Sequence, residues 1–385
     1  MLNFTFHNPT RIHFGNGQIQ AIAKEIPEDA KVLVLYGGGS IKSNGVYDQV
    51  IAALDDRAVF EFSGIEPNPS YDTLVKSLPI IRDNKVDYLL AVGGGSVVDG
   101  TKFIAGAALF EGDDPWDIIA KQQRIKQALP IGVVLTLPAT GSESNIGAVV
   151  TRNGNKLPFS SALVRPKLAV LDPAVTLTLS DRQVGNGVVD AFVHTMEQYL
   201  TYNVNGKLQD RFAEGILQTL IEEGPKALAA KTKEDLDIRA NIMWSATMAL
   251  NGLIGSGVPQ DWATHMIGHE LTGSHNIDHA RTLSIVLPAV MKVRREAKRD
   301  KLLQYAERVW QVTDGNDEEK IDRAISLTES FFEKMGVPTR LSHIDLNASH
   351  LDELITKLTE HGMVKLGEKR DITPKISREI LETAL

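Results

Sequence analysis

Four short apolar runs in the first half of the chain constrain its fold more than any other feature of the sequence. They are rich in Val and Leu, hardly alternate between apolar and polar residues, and are each followed by Gly or Pro. The runs are KVLVLY (31–36), VDYLLAV (86–92), IGVVLTL (131–137) and KLAVLD (167–172). Unalternated strands of this kind are typical of parallel sheets whose two faces are covered by crossover helices. The sequence therefore predicts an α/β domain over residues 1–180.

The pattern changes after about residue 181, where apolar residues recur with the 3.6-residue period of helices and strand-like runs are absent. Helical segments are predicted at 182–201, 207–229, 234–254, 260–273, 281–295, 298–312, 317–335 and 348–361. The predicted fold class is thus α/β plus all-α, with a helical domain over residues 181–385. Ligands of such domain pairs usually bind in the cleft between them.

Composition and charge exclude several classes of protein. The 385 residues carry a net charge of −8, which opposes binding to the phosphate backbone of a nucleic acid. The chain has no cysteine, so any metal must bind to histidine and carboxylate groups. The first residues lack the basic region and apolar core of a secretory leader, and no apolar run approaches the roughly 18 residues of a membrane span. We therefore expect a cytoplasmic protein that binds neither nucleic acid nor membrane.

Three turns rich in small residues follow three of the predicted strands. They are YGGGS (36–40), GGGSVVD (93–99) and PATGSES (138–144). The second leads into a helical pattern, and a helix N-terminus offers unpaired N–H groups and a favourable dipole to a phosphate. None of the three is the G-x-G-x-x-G fingerprint or a P-loop, and a single such turn is usually only a turn. Three of them at strand ends in one domain favour a nucleotide crevice.

Asp190 and His194 lie four residues apart in the helical segment GVVDAFVHTMEQY (187–199). This spacing puts both side chains on one helix face, among apolar neighbours. The pair is either an ordinary ion pair near the surface or a carboxylate and an imidazole that are offered to one cation.

Four histidines lie within the fifteen residues HMIGHELTGSHNIDH (265–279), namely His265, His269, His275 and His279. The segment is not the metalloprotease motif H-E-x-x-H, because Gly273 stands where the second histidine is needed. One aspartate and three histidines from two helices and a loop would suit a single Zn²⁺ or Fe²⁺ ion. The spacing alone does not decide which three of the four histidines bind.

Five segments spread along the chain form a specific pattern. They are PTRIHFGNG (9–17), GGGSVVDGTK (93–102), LPATGSESN (137–145), NGVVDAFVHTMEQY (186–199) and HMIGHEL (265–271). Together they resemble the iron-containing (group III) alcohol dehydrogenase family, and within it the bacterial NADPH-dependent aldehyde reductases and butanol dehydrogenases. The resemblance implies a Rossmann-like dinucleotide-binding domain followed by a helical metal-binding domain, which is the dehydroquinate synthase-like fold.

The resemblance also implies roles for the histidines and the aspartate. The metal ligands that it implies are Asp190, His194, His265 and His279. His269 would then be a catalytic residue that faces cofactor and substrate without binding the metal. His275 has no role in the family.

For the cofactor, the resemblance implies a site of thirteen residues. They are Gly37, Gly38, Gly39, Ser40, Asn68, Gly94, Gly95, Ser96, Asp99, Thr136, Thr140, Ser142 and Lys156. Asp99 would lie near the nicotinamide and is the second catalytic candidate. Relatives that use NAD carry an aspartate just after the first strand, whereas this chain has the turn 37–40 there, with Lys42 close behind. The small residues leave room for a 2′-phosphate that a carboxylate would repel, so NADP(H) is favoured over NAD(H).

The activity that the resemblance implies is the reversible, NADPH-linked reduction of short- to medium-chain aldehydes to alcohols. It would use one divalent metal, Zn²⁺ or Fe²⁺, in a homodimer. Alternatives within the same fold are a polyol dehydrogenase of the glycerol or diol type and a dehydroquinate-synthase-like lyase. Few basic residues in 186–200 and 257–282 could hold the lyase's anionic substrate. A non-catalytic nucleotide-binding protein with a structural metal is an alternative of another class.

Overall fold

The computed structural model describes residues 1–385, which form two compact units. The helical unit comprises Met1–Phe6, Ser180–Lys233 and Trp244–Leu385, and the α/β unit comprises His7–Leu179 and Glu234–Met243. Each unit therefore includes a short piece of chain that is remote in sequence from the rest of that unit.

The α/β unit contains eight strands and seven short to medium helices. The strands are β1 (Arg11–Phe14), β2 (Lys31–Tyr36), β3 (Ala58–Phe62), β4 (Tyr88–Gly94), β5 (Ile131–Leu137), β6 (Gly147–Arg152), β7 (Asn155–Ser160) and β8 (Leu168–Leu171). The helices are α1 (Ile22–Glu25), α2 (Ser40–Ser43), α3 (Val46–Leu54), α4 (Tyr71–Leu74), α5 (Leu78–Asn84), α6 (Gly95–Ala107) and α7 (Asp117–Ala120). Six strands form a parallel sheet in the order β1-β8-β5-β4-β2-β3, and β6 pairs with β7 in an antiparallel hairpin.

The four predicted runs are confirmed as β2, β4, β5 and β8, and burial of both faces explains their lack of alternation. Along β2, Val32 and Val34 pack into an apolar cluster that includes residues of α3. Leu33 and Leu35, on the other face, pack into a second cluster that includes residues of α6. Both faces of the strand are thus covered, as is usual in a parallel sheet with crossover helices.

Four strands of the unit, β1, β3, β6 and β7, are not predicted by the apolar runs. β3 is an edge strand whose sequence AVFEF alternates, and its residues are exposed or half-buried. The hairpin of β6 and β7 turns at Asn153 and Gly154, which both have positive φ angles, of 54° and 77°. Asn-Gly is the strongest short-range signal for such a hairpin turn, so the sequence did contain the information that the hairpin requires.

The strand order places a topological switch point between β2 and β4. From β2 the chain continues to β3 at one edge of the sheet, whereas from β4 it continues to β5 in the opposite direction. In open α/β sheets, ligands bind outside the carboxyl ends of the strands at such a point. The first two glycine-rich turns follow β2 and β4 and therefore lie at this position.

The helical unit contains long helices and no strands, as predicted after residue 181. The helices that follow β8 in sequence are α8 (Asp181–Tyr199), α9 (Lys207–Leu228), α10 (Leu236–Leu250), α11 (Ala263–His275), α12 (His279–Val293), α13 (Arg299–Arg308), α14 (Asp317–Lys334), α15 (Leu351–Glu360) and α16 (Pro374–Thr383). The residues of α10 are divided between the two units. The ten-residue α16 lies outside the predicted segments; its Ile380 and Leu381 are buried in an apolar cluster shared with α12 and α15. None of the helices is long and apolar enough to cross a membrane.

Two local features position the helices that carry the histidines. Ser180 and Gln183 form a capping box at the start of α8, which satisfies its first backbone N–H groups. A Cβ on Gly268 would lie 2.8 Å from Thr282 Oγ1, so the absence of a side chain lets α11 approach α12 closely. His265 and His269 on α11 are thereby brought near His279, the first residue of α12.

Candidate functional site

The second glycine-rich turn joins β4 directly to α6 and packs against the third turn. α6 begins at Gly95, with Gly94 as its N-cap. Its first backbone N–H groups therefore point out of the carboxyl end of the sheet, where a phosphate could accept them. A Cβ on Gly95 would lie 2.5 Å from Thr140 Oγ1, so a residue larger than glycine would collide with the third turn.

Asp99 and Ser142, both expected at the cofactor, are in direct contact. Ser142 Oγ donates to Asp99 Oδ1 at 2.6 Å, and the backbone N–H of Val149 donates to Asp99 Oδ2 at 3.0 Å. Burial raises the pKa of Asp99, and the Lys102 ammonium opposes that rise. The hairpin and the third turn thus hold this carboxyl group in place.

Lys102 is a residue of this region that the sequence reasoning did not single out. Its side chain is fully buried, and burial lowers the pKa of its ammonium group to about 8. Nζ donates to Ser142 Oγ at 2.8 Å, to Asn145 Oδ1 at 2.9 Å and to the carbonyl oxygen of Gly147 at 2.7 Å. The sequence feature that could have indicated Lys102 is its position one helical turn after Asp99 in a largely apolar helix, because a buried charge needs hydrogen-bond or ionic partners.

Three further expected cofactor residues also lie together. Lys156 Nζ donates to Asn68 Oδ1 at 2.9 Å, and the backbone N–H of Asn68 faces Ser96 Oγ at 3.4 Å. Asn68 has a left-handed backbone with a φ of 57°. Thr136 lies near the carboxyl end of β5, next to β4 in the sheet. All these expected residues belong to the α/β unit.

The lysine behind the first turn is not free, because it forms an ion pair with Glu61 on β3. Lys42 Nζ donates to Glu61 Oε2 at 2.8 Å, and the hydroxyl of Tyr36 donates to the same oxygen at 2.7 Å. The hydroxyl of Tyr47 donates to Glu61 Oε1. The Lys42 ammonium also lies 4.5 Å from the centre of the Tyr47 ring. The sequence reasoning considered Lys42 alone and missed this carboxylate, which comes from a separate strand.

This cluster gives a pH-dependent contribution to stability. The hydrogen bond from Lys42, with those from Tyr47 and Tyr36, lowers the pKa of Glu61 to about 2. The stabilisation should therefore be complete above the unfolded pKa of about 4.3 and be lost as the pH falls from there towards 2. We expect Glu61→Gln to reduce the free energy of unfolding at pH 7 by no more than about 1 kcal/mol, because the side chain is 38% exposed. Urea unfolding of both proteins at pH 7 and pH 3.5 should show a smaller difference at pH 3.5, and a larger one would contradict this account.

Three potential metal ligands converge in the helical unit. Asp190 on α8, His265 on α11 and His279 at the start of α12 offer ligand atoms that all lie within 4.8 Å of one another. Asp190 Oδ1 lies 3.7 Å from His194 Nδ1 and 3.8 Å from His279 Nε2. The ring of His194 stacks on that of His265 with 4.5 Å between centroids. All four side chains that the resemblance names as ligands are therefore grouped at one place.

The donor set and its spacing fit one first-row divalent ion. Asp190 is 3% exposed, and its Oδ1 has no hydrogen-bond partner, which is costly for a buried carboxylate without a cation. The separations of 3.7 and 3.8 Å exceed a hydrogen bond. They are close to the roughly 3.3–3.5 Å between ligands of a tetrahedral ion with bonds of about 2.0–2.1 Å. Oxygen and imidazole ligands suit Zn²⁺ and Fe²⁺ alike.

The two remaining histidines of the segment 265–279 occupy different surroundings. The ring of His269 lies 5.2 Å from that of His279 and 6.3 Å from that of His265, yet His269 is not part of the convergent triad. His275, at the last turn of α11, makes its ring contact with His350 instead, at 5.5 Å. Burial lowers the pKa of His275.

Trp262 borders the candidate metal ligands and has a strained backbone. It precedes α11 with a φ of 63°, a left-handed conformation that bulky residues rarely adopt. Its indole Nε1 donates to Gln260 Oε1 at 2.9 Å. The ring meets His265 and His194 edge-on, with centroid distances of 5.4 and 6.3 Å. The strained turn therefore holds an apolar side chain against two of the candidate ligands.

Glu197 contacts the candidate ligand His265 and was also missed by the sequence reasoning. It lies on α8, seven residues after Asp190 and three after His194, so the helical period places it on the same face. Its Oε2 is hydrogen-bonded to Nδ1 of His265. Burial and the Asp261 carboxylate raise the pKa of Glu197, while backbone donors from α11 oppose that rise. The i, i+7 spacing from Asp190 could have indicated Glu197 as a residue of this site. Its partner His265, however, is 68 positions away in sequence.

The fold and the site define a class of protein, and comparison with known families gives the same one. Residues 9–173 match the iron-containing alcohol dehydrogenase family, and residues 185–385 match the C-terminal region of the Fe-containing alcohol dehydrogenase family. The chain belongs to the iron-containing alcohol dehydrogenase family.

Individual relatives match over the full length of the chain. The NADPH-dependent aldehyde reductase YqhD of Escherichia coli K-12 is 61% identical, with 100% of both chains covered. A crystal structure of YqhD superposes with a TM-score of 0.98 at 60% identity, covering 100% of this chain and 99% of that one. The NADH-dependent butanol dehydrogenase A of Thermotoga maritima gives a TM-score of 0.94 at 36% identity, again covering 100% and 99%. Relatives named for either coenzyme thus share this fold.

Proposed function

We propose that this protein is a metal-dependent, NADP(H)-linked alcohol dehydrogenase that reduces short- to medium-chain aldehydes to alcohols in a reversible reaction. The observation that carries the proposal is the buried Asp190 carboxylate that faces His265 and His279 and has an oxygen without a hydrogen-bond donor. Membership of the family and 61% identity to an NADPH-dependent aldehyde reductase support the substrate class and the coenzyme.

The metal would be held by Asp190, His194, His265 and His279. When bound, a Zn²⁺ or Fe²⁺ ion supplies a Lewis acid that polarises a carbonyl oxygen. The four side chains must be a carboxylate and three neutral imidazoles to serve as ligands. Asp190, His194 and His265 are buried and the His279 side chain is 22% exposed, so little water surrounds the site and electrostatic interactions there are strengthened.

His269 and Asp99 are the residues to which we assign catalytic roles. His269 is 7% exposed and neighbours the rings of two ligands, so its imidazole is suited to deliver the proton that the alcohol oxygen gains. Asp99 is fixed by Ser142 and Val149, and we assign it to the nicotinamide end of the cofactor. When bound, the reduced nicotinamide would supply the hydride that converts the aldehyde to the alcohol.

The α/β unit would bind the coenzyme through its three turns. The N-terminus of α6, with Gly94, Gly95 and Ser96, would receive the pyrophosphate. Lys156, with Asn68, would hold a ribose. The turn 37–40 offers small residues and backbone N–H groups to the adenosine end, where Lys42 supplies positive charge.

An assay of coenzyme oxidation tests this proposal. Purified protein is mixed with NADPH and a straight-chain aldehyde such as butanal, and the loss of absorbance of the reduced nicotinamide is followed. We expect turnover with NADPH, weaker turnover with NADH, and the reverse reaction with butanol and NADP⁺. Turnover with glycerol or a diol but with no simple aldehyde or alcohol would favour the polyol dehydrogenase instead. Binding of NADPH without any turnover would favour the non-catalytic protein.

We further propose a cytoplasmic location and a homodimer. A reductase of this type depends on the NADPH pool of the cytoplasm, which is the reason for the location. For the dimer, Leu2, Phe4 and Phe6 alternate along an extended segment and are each 46–52% exposed. A second copy of the chain could cover this apolar row, because contiguous apolar patches on a surface often mark an interface.

A further inference from the structure

Glu197 contacts the candidate metal centre without being able to reach a metal itself, because both of its oxygens are already engaged. The side chain is 2% exposed. Oε2 faces Nδ1 of His265. Oε1 accepts the backbone N–H groups of Thr264 at 2.7 Å and His265 at 3.3 Å. One buried carboxyl group therefore binds both the ring and the backbone of a residue that offers its other ring nitrogen to the metal.

The backbone contacts fill a gap in the structure of α11. Thr264 and His265 lie in the first turn of this helix, whose initial N–H groups have no partners within the helix. The residue at its N-cap, Trp262, provides no capping hydrogen bond from its side chain. The carboxylate of Glu197, on α8, caps α11 instead. It brings negative charge to the N-terminus of α11, where the helix dipole favours an anion.

The ring contact determines which nitrogen of His265 is available to a metal. An imidazole that binds a metal through Nε2 keeps its proton on Nδ1, and that proton needs an acceptor. Glu197 Oε2 is the acceptor that faces it. The second nitrogen, Nε2, is then available to the metal, and the ring of His265 lies 5.1 Å from that of His279 between their centroids.

The loop before α11 is fixed both to the backbone of Glu197 and to buried charged side chains. The backbone N–H of Asp261 donates to the carbonyl oxygen of Glu197 at 2.8 Å. Asp261 Oδ2 is 2.7 Å from Nζ of Lys298, and this ammonium also contacts Glu368 at 3.0 Å. These three charged side chains are at most 6% exposed, so the loop before α11 is fixed by a buried ion cluster.

We propose that Glu197 is a positioning residue of the metal centre, which sets the tautomer and the rotation of His265 and thereby the affinity for the metal. The inference rests on the proposed function, because it requires that His265 be a ligand. It adds a residue that neither binds the metal nor touches substrate. Partners of this kind typically contribute a factor of 10–100 to metal affinity.

The test uses Glu197→Gln and measures the dissociation constant of Zn²⁺ by competition with a chromophoric chelator. The amide oxygen still accepts from the backbone of α11, but the amide NH₂ group now faces Nδ1 of His265. Nδ1 must then accept a hydrogen bond, and the proton moves to Nε2, which can no longer bind a metal. We expect the dissociation constant to rise about 10–100-fold, while the metal-free variant keeps the wild-type far-UV circular dichroism spectrum.

Glu214→Gln is the matched control. Glu214 is a buried carboxylate on α9 that accepts from Tyr199 at 3.0 Å and Arg308 at 3.1 Å, and it has no contact with the four ligands. This variant should lose some thermal stability and keep the wild-type affinity for Zn²⁺. Glu197→Asp provides a second measurement should Glu197→Gln fail to fold, because it keeps the charge but is one methylene too short to hold the ring. We expect weakened Zn²⁺ binding there too.

Wild-type Zn²⁺ affinity in a folded Glu197→Gln or Glu197→Asp protein would overturn the inference. The inference would also be overturned if Glu197→Gln and Glu214→Gln weakened Zn²⁺ binding equally, because that result would show a general effect of removing a buried charge. A wild-type protein that binds no Zn²⁺ or Fe²⁺ would instead refute the proposed metal centre. Failure of the Glu197 inference can therefore be distinguished from failure of the proposed metal centre.

Discussion

Asp190→Asn should remove the bound metal and lower kcat/KM for aldehyde reduction by at least about 1,000-fold. The substitution keeps the size of the side chain and deletes the only negative charge among the four proposed ligands. The neutral amide is a much poorer ligand, and its NH₂ group would point into the space between His265 and His279. Loss of the Lewis acid removes the charge stabilisation on which carbonyl reduction depends. The measurements are the metal content of the purified variant and its steady-state kinetics with NADPH.

Asp181→Asn is the control for this variant, because it makes the same change on the same helix. Asp181 lies in the first turn of α8 and is exposed. Its metal content and activity should equal those of the wild type. An Asp190→Asn protein that retains one metal per chain or full turnover would show that Asp190 is not a ligand.

Lys42→Glu should raise the KM for NADPH on the order of 100-fold and change the KM for NADH by less than about threefold. The proposed adenosine site lies at the turn 37–40, and Lys42 Nζ is the cation that follows it. In the variant, the new carboxylate and Glu61 would both face the 2′-phosphate, which carries roughly two negative charges. NADH lacks this phosphate and should be affected only through local packing. The measurement is the KM for each coenzyme at one saturating aldehyde concentration.

Glu61→Gln gives the opposite change at the same cluster. It removes the carboxylate that pairs with Lys42 at 2.8 Å, so the ammonium is free to bind the phosphate and the KM for NADPH should fall a few-fold. Lys76→Glu, an exposed charge reversal elsewhere in the α/β unit, controls for the change in net charge. Equal effects on NADPH and NADH in Lys42→Glu would contradict the placement of the 2′-phosphate.

Local sequence patterns predicted part of the fold. β2, β4, β5 and β8 followed from unbroken apolar runs, because a strand buried on both faces leaves no polar positions. β3 did not, because an edge strand keeps one side exposed and carries charge. The domain boundary at residue 180 stays a prediction, since neither compact unit is one continuous stretch of the chain.

At the site, the i, i+4 spacing indicated Asp190 and His194 as a pair, but only tertiary structure could bring α11 and α12 to them. The partners missed by the sequence reasoning are all supplied from a distance in sequence. Glu61 on β3 reaches Lys42 on α2, and Glu197 on α8 reaches His265 on α11. The helical period places Glu197 on the face of Asp190 and His194, but a single sequence does not reveal a hydrogen bond to a residue 68 positions away. The catalytic and cofactor roles of the individual residues stay predictions.

Metal titration of the chelator-treated protein tests the central claim most directly. The metal-free protein is reconstituted with increasing Zn²⁺ or Fe²⁺, the latter without oxygen, and the rate of NADPH oxidation with butanal is measured at each step. The metal centre formed by Asp190, His194, His265 and His279 predicts no activity without metal and a linear rise that reaches its plateau at one ion per chain. Full activity in protein that contains no metal, or a rate independent of added metal, would contradict it.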